Sequence, residues 1–453
     1  MKGFVLTPPA TVDLMVERMF QDRWPRRNSR LLDAGCGHGA FIEGVLRWCR
    51  HNQTECPEIV GIELDPTKLL QAKRLLASEE RVTLVEGDFL TRDLGSFDYI
   101  IGNPPYVGIE ELSKDELSQY RHLFQAARGR VDLYLLFWER SIRVLKDAGR
   151  IVFITPEKYT YVETARPLRR MMSSYQLDEL LYAPEDTFPG LTTYPVIATL
   201  TKHSSKRETT IQLRDGTSHT VQLPTTGESW QPVINKSPSL NGAKTLADIS
   251  LRVSCGVATG SDEMFLFDRA QLPAGFGPFA KPAIAGRDLR PGQPLKVPHR
   301  VLVMPYDEQG ALLPLDSLGE FADYLQQDAV RARLEARTCA RRKPWYAFHE
   351  TPPLPDMLRP KLVCKDIAKE PYFWLDADGG NVPLHSSYYV VPSVPQLLEP
   401  LLHFLNSHEV RNWLFANCQR AANGFVRMQS TVMKKLPVPD KLVAALVECS
   451  LAA

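Results

Sequence analysis

Apolar and polar positions follow one rhythm in the first part of the chain and lose it in the second. From Ser29 to about Leu200, short apolar runs ("RLLDAG", "EIVGIEL", "VTLVEGDF", "FDYIIGN", "GRIVFIT") are separated by stretches with helical spacing, one from about Ala40, then "PTKLLQAKRLLAS" and "DLYLLFWERSIRVL". Aliphatic runs alternating with helical patterns predict βαβ units and a parallel sheet. The runs "LDELLYA" and "YPVIATLTK" follow one another without a long helix between them, which predicts a terminal antiparallel pair. Residues 203–245 turn polar, with "RDGTSHT" and "PTTGESW", and read as a hairpin and linker. Residues 246–453 are Pro-rich and irregular, with no βα rhythm and no internal repeat. The expected organisation is an α/β domain over 1–202 and a separate mixed α+β domain over 246–453.

Composition narrows the class. A chain of 453 residues, 44% hydrophobic and 24% charged, has the make-up of a globular protein with more than one domain. No apolar run reaches membrane-spanning length, and "MKGFVLTPPATVD" has neither the apolar core nor the cleavage site of a signal peptide, so a cytoplasmic protein is expected. The eight cysteines form no CxxC and no zinc-spaced cluster and read as reduced thiols, with no metal site expected. A net charge of +1 announces no polyanionic partner by itself, so any nucleic-acid reading rests on local patches.

Chemistry concentrates at the predicted strand ends. "LLDAGCGHGAF" ends a strand in Asp33 and continues with Gly35, Gly37 and Gly39, a pattern suited to a tight turn into a helix beside a nucleotide-like ligand. After the next strand Glu63 in "GIELDP" stands where a carboxylate can accept from both ribose hydroxyls, and after the third Asp88 in "EGDF" stands where one can accept from an adenine amino group. Either acid could equally be a helix cap, a role that suits Asp65 before Pro66. At the fourth strand end comes "GNPPY". Pro104 and Pro105 cannot continue a ladder, so the strand must stop at Gly102 in a stiff elbow that fixes Asn103 and precedes Tyr106.

The series "DAGCGHG", "GIELDP", "GDF" and "GNPPY" resembles the S-adenosylmethionine-dependent amino-methyltransferases, and the whole chain is similar to the TaqI-type (gamma-class) adenine-N6 DNA methyltransferases of restriction-modification systems. "TPPATVDLMV" precedes the glycine loop, and "VSCGVATGSDEMFLF", "AIAGRDLRPG", "RPKLVCKDIA" and "FLNSHEVRNWL" look like that subgroup's target-recognition domain. The glycine loop departs from the "PACGxG" of many relatives. The resemblance implies a Rossmann-like methyltransferase sheet with a C-terminal target-recognition domain, S-adenosylmethionine as cofactor, and methyl transfer to N6 of an adenine flipped out of double-stranded DNA. It also implies a monomer and a separate cognate restriction endonuclease, since "TPPATVD" stands at the start of the sequence.

Residue by residue, the resemblance gives Asn103, Pro104, Pro105 and Tyr106 to catalysis, with Tyr106 and Phe188 sandwiching the target base. It gives Thr7, Asp33, Gly35, Gly37, Glu63, Asp88, Phe89, Pro105 and Phe137 to the cofactor. Cytosine-N4 DNA methylation, RNA adenine or protein glutamine methylation, and an inactive DNA-binding protein are the competing readings. DNA contacts are expected in the second half: Arg331, Arg333, Arg337, Arg341, Arg342 and Lys343 in "RARLEARTCARRKPWY" as phosphate ligands, with Arg287, Lys365 and Arg427 as further candidates.

Overall fold

Aliphatic strands buried on both faces need helices to cover them, and the first part of the chain folds accordingly. The computed structural model describes residues 5–130, 132–190, 193–203, 208–421 and 424–444. They divide into two compact units, Met1–Ile234 and Asn235–Ala453. The first begins with α1 (Pro9–Phe20), β1 (Arg30–Ala34), α2 (Ala40–His51), β2 (Glu58–Glu63), α3 (Pro66–Leu75), β3 (Val82–Glu86) and β4 (Phe97–Gly102). It continues with α4 (Lys114–Leu123), α5 (Leu133–Val144), β5 (Leu145–Pro156), α6 (Arg166–Met172), β6 (Gln176–Tyr182), β7 (Pro195–Thr201), β8 (Thr209–Gln212) and β9 (Ser218–Val221). The α3 start is the predicted one: Asp65 caps it, accepting from Thr67 N–H at 2.9 Å, with Pro66 in the first turn.

The strands form one nine-stranded sheet in the order β3-β2-β1-β4-β5-β7-β6-β8-β9. β1 to β5 pair in parallel, while β7 is antiparallel to both β5 and β6, as the two late apolar runs predicted. The 209–221 hairpin does not stand apart as a linker. It extends this sheet, through parallel pairing of β8 with β6, and the chain divides at Ile234/Asn235.

The order reverses direction between β1 and β4, and open α/β sheets bind ligands outside the strand ends at such a switch point. Close approach there depends on glycine: a Cβ on Gly102 would lie 2.9 Å from the Ala34 carbonyl oxygen and 3.4 Å from the Phe153 ring. The segment after β4 is held by a buried acid on α5. Glu139 accepts from Gln125 N–H at 3.0 Å and Ala126 N–H at 2.8 Å, and pairs with Arg143 one turn on.

The second unit contains the expected mixture of strands and helices. A four-stranded antiparallel sheet (Ser250–Cys255, Ser387–Pro392, Lys361–Lys365, Phe373–Asp376) separates two cores. One core gathers Phe265, Phe321, Phe348 and Tyr389, the other Leu362, Val390, Leu401 and Leu414. A second four-stranded sheet joins Leu266–Asp268, Arg300–Val303, Ala280–Ile284 and Val382–Pro383. Lys361 and Asp376, both buried, pair across the first sheet at 2.6 Å.

Replacing Glu139 strands the Gln125 and Ala126 amides. Glu139→Ala is expected to lower the unfolding free energy by about 2–3 kcal/mol, read as a shift of the guanidinium midpoint at unchanged slope.

Candidate active site

The strand ends bring the three acids of the sequence together in different states. Asp33 is fully buried, and neither carboxylate oxygen has a hydrogen-bond partner. Burial, reinforced by the neighbouring Glu63 carboxylate, holds its carboxyl well above the usual carboxylate range. Glu63 is buried too but satisfied: one oxygen accepts from Gly37 N–H at 2.9 Å, the other from Asp65 N–H at 2.9 Å. It therefore shapes the glycine loop, whose Gly35 and Gly39 adopt φ of 83° and 90°, the left-handed region that glycine enters without penalty. Asp88 accepts from Leu90 N–H at 2.9 Å, Thr91 Oγ1 at 2.9 Å and Tyr120 OH at 3.1 Å.

β4 ends at Gly102 and the elbow follows. The Asn103 side-chain nitrogen donates to the Val5 carbonyl at 3.2 Å and to Thr7 Oγ1 at 3.1 Å. A carbonyl can only accept, so the amide cannot be turned end for end without setting two oxygens against each other. The Asn103 Oδ1 is buried and without a partner. Tyr106 hydroxyl donates to the Ile154 carbonyl at 3.4 Å, and burial raises the pKa of its phenol.

Between these elements lies a cavity of about 360 Å³, within the range of small-molecule sites. Gly35, Glu63, Asp88, Phe89, Asn103, Pro105 and Phe137 all line it, so most of the expected cofactor residues are brought to one place. Phe89 and Phe137 pack with centroids 5.1 Å apart. Thr7 meets Asn103, which is a different contact from the one expected of it. Glu116 and Tyr120 of α4 also line the cavity and were not anticipated. Their signal was present as "SKDE": Ser113 and Glu116 form a capping box at the start of α4.

Tyr106 and Phe188 do meet, but not as parallel plates. Their centroids are 6.3 Å apart at 76°, edge to face, and Phe188 is 1% exposed. A base entering between them requires one ring to swing.

The expected phosphate ligands of the second unit separate into groups. Arg337 is half-buried and directs four N–H groups at the carbonyls of Leu334, Thr259, Trp345 and Ala347. It ties the "CARRKPWYAF" turn together, so four of its donors, expected for DNA, are used inside the fold. Arg331 pairs with Glu335 at 2.8 Å and lies over the Trp345 ring, Arg333 pairs with Glu263, and Lys343 donates to the His349 carbonyl. Arg341, Arg342, Arg287 and Arg427 are exposed, and Lys365 is half-buried.

The family of Eco57I restriction-modification methylases matches residues 51–188, a span holding Glu63, Asp88, the Asn103 elbow, Phe137 and Phe188. The Type II methyltransferase M.XhoI of Xanthomonas vasicola is 26% identical over 97% of this chain and 91% of its own length. The chain is similar to the Type II methyltransferases along nearly its whole length. M.PaeR7I of Pseudomonas aeruginosa, another, is also 26% identical over 97% of the chain and 86% of its length. The solved Type IIL restriction-modification enzyme MmeI, in complex with DNA, shares the fold with a TM-score of 0.62 at 12% identity, over 97% of this chain and 66% of that one.

The donor set fits S-adenosylmethionine, the cofactor that the sequence resemblance implies. Carboxylates at Glu63 and Asp88 suit a ribose and an amino group, the Phe89 and Phe137 rings suit a purine, and the unpartnered Asp33 carboxyl lies beside Glu63. No helix among the described residues is long and apolar enough to cross a membrane.

The state of Asp33 is testable. An acid whose folded pKa is raised costs stability as pH climbs above its unfolded value of about 4, because the native state must either keep the proton or bury a bare charge. Asp33→Asn is therefore expected to melt a few degrees higher than the parent at pH 7–8 without cofactor, with the gap closing toward pH 4, while binding S-adenosylmethionine more weakly. Melting curves across that pH range and calorimetric titration check both; a lower melting temperature at neutral pH would mean that Asp33 has a stabilising partner inside the fold.

Proposed function

We propose that the chain transfers a methyl group from S-adenosylmethionine to N6 of an adenine in double-stranded DNA, within a fixed short sequence. Such an activity serves to mask that sequence from a cognate endonuclease carried on a separate chain. The observation that carries the reading is the Asn103 amide, with its donor end tethered to Val5 and Thr7 and its buried Oδ1 left without a partner at the edge of the cavity.

Adenine N6 is a weak nucleophile because its lone pair is delocalised into the ring. An acceptor held by Asn103 and a second at the Pro104 carbonyl take the two N6–H groups, draw the nitrogen toward tetrahedral geometry and turn its lone pair out of the ring plane. S-adenosylmethionine, when bound, supplies an electrophilic methyl group. The proton leaves after transfer, so no side chain with the pKa of a general base is required at the elbow. The site works by alignment and by acceptors fixed in advance. Pro104 and Pro105 keep those acceptors in place, and Tyr106 offers a ring on which the base stacks. A paired base cannot reach such an elbow, so it must leave the duplex, at a cost of a few kcal/mol. Phe188 completes the pocket once the edge-to-face contact with Tyr106 opens.

The tether separates two roles for Thr7. If its hydroxyl helps to hold Asn103, Thr7→Val loosens the amide, which keeps the Val5 carbonyl alone as its acceptor, and kcat falls roughly tenfold, the scale of one lost hydrogen bond, while the cofactor dissociation constant changes little. If it serves the cofactor, the affinity carries the loss instead. Asn103→Ala is expected to lower kcat by roughly 100–1000-fold, the scale of losing a fixed transition-state hydrogen bond, again with cofactor binding largely kept. Calorimetry with the cofactor beside a tritium-transfer assay on duplex DNA measures both. Near-normal turnover of Asn103→Ala overturns the mechanism, and N4-methylcytosine in the digested product overturns the choice of base.

A further inference from the structure

Five segments of the second unit, far apart in sequence, are tied together by backbone hydrogen bonds. Gly256 N–H donates to the Ser387 carbonyl at 2.9 Å, Val257 N–H to Pro383 at 2.8 Å, and Leu384 N–H to Ile284 at 2.8 Å. Asp366 N–H donates to Ser386 at 3.0 Å, and Met428 N–H to Asp366 at 2.7 Å. The Ser386 hydroxyl accepts from Gly286 N–H at 3.0 Å. The approach is so close that a Cβ on Gly256 would fall 2.3 Å from the Leu384 carbonyl oxygen, and one on Gly286 2.5 Å from that of Ser386. No side chain fits between these backbones, so the platform is rigid.

Side chains of both polarities stand on it. Arg287 follows Gly286, His385 precedes Ser386, Lys365 precedes Asp366, and Arg427 lies opposite Ile367 in the register of a short ladder. Arg287, His385 and Arg427 are exposed. Asp366 is half-buried, and burial lifts its carboxyl pKa against the opposing pull of Arg427 and His385. His385 Nδ1 is 3.5 Å from Asp262 Oδ2.

A surface that only grips phosphate gains from uniform positive charge, and a carboxylate among its cations works against it. Reading base edges needs the opposite arrangement: donors for guanine and acceptors for the amino groups of adenine or cytosine, interleaved and held at fixed positions. Arg341 and Arg342, exposed with no acid beside them in sequence, have the simpler character. Resting on the DNA-methylation reading above, we infer that Arg287, Lys365, Asp366, His385 and Arg427 form the surface that reads base edges and sets the recognition sequence, whereas Arg341 and Arg342 contact the backbone.

Single-molecule sequencing of host DNA after expression of each protein reports the modified base with its context. Arg287→Ala, Asp366→Asn and Arg427→Ala are each expected to relax or change the motif at one position, lowering preference there roughly tenfold to a hundredfold. The double variant Arg341→Ala with Arg342→Ala is expected to keep the parental motif. Its binding to every duplex should weaken, with the salt dependence flattened by about 0.9 in slope for each phosphate no longer neutralised. Melting curves identify any variant that fails to fold; should Asp366→Asn fail, the two exposed arginines decide the matter. If these variants keep the parental motif, the inference falls and the DNA reading stands. If the parent protein leaves DNA unmodified and methylates RNA or protein, both fall together.

Discussion

The Asn103 amide turns its nitrogen inward, to the Val5 carbonyl and the Thr7 hydroxyl, and that commitment fixes where its oxygen faces. A side-chain amide is nearly symmetric in shape, so packing alone leaves two orientations of similar cost; an obligate acceptor at one end removes one of them. Everything around the elbow serves this constraint. Gly102 admits the end of β4 against β1, the two prolines after Asn103 keep the ladder from continuing, and the segment before α1 brings Val5 and Thr7 into reach. An acceptor buried without a partner costs free energy in the resting protein, and that cost is recovered when a donor arrives.

The acids beside it divide their labour. Glu63 and Asp88 are held by backbone amides and hydroxyls, so their positions are set before anything binds. Asp33 has no such support and is kept above its ordinary titration range by burial. The carboxylates that line the cavity are thus fixed by the fold, while Asp33, buried beside Glu63, is the acid whose ionisation a nearby cationic group would favour.

Much of the first unit was legible because its signals are local. Strand ends, the Asp65 cap and the stop at Gly102 each depend on a few adjacent residues, and they fell where expected. The Thr7 contact did not, because it joins residues 96 apart and leaves no periodic trace. α4 was missed for a different reason: its buried face is small, with Tyr120 its only buried residue, so hydrophobic spacing could not reveal it although the capping box was written in the sequence. The 209–221 hairpin is polar on its outer side, which disguised it as linker; its inner residues Thr209 and Ile211 complete the sheet.

The second unit shows why a basic run overstates the charge available to a partner. A guanidinium has five donors, and backbone carbonyls at the ends of short helices compete for them. Among the described residues, "RARLEARTCARRK" spends Arg337 on four carbonyls and pairs Arg331 and Arg333 with glutamates. Sequence counts all of these as free positive charge, whereas Arg337 is withdrawn into the fold and the exposed Arg331 and Arg333 are each partly neutralised by a glutamate. The reverse holds at the platform built on Gly256 and Gly286, where residues that look isolated along the chain come together because backbones touch. Density of charge along a chain therefore measures helix and turn chemistry as much as it measures affinity for a polyanion, and the surface that discriminates is the one the fold holds rigid.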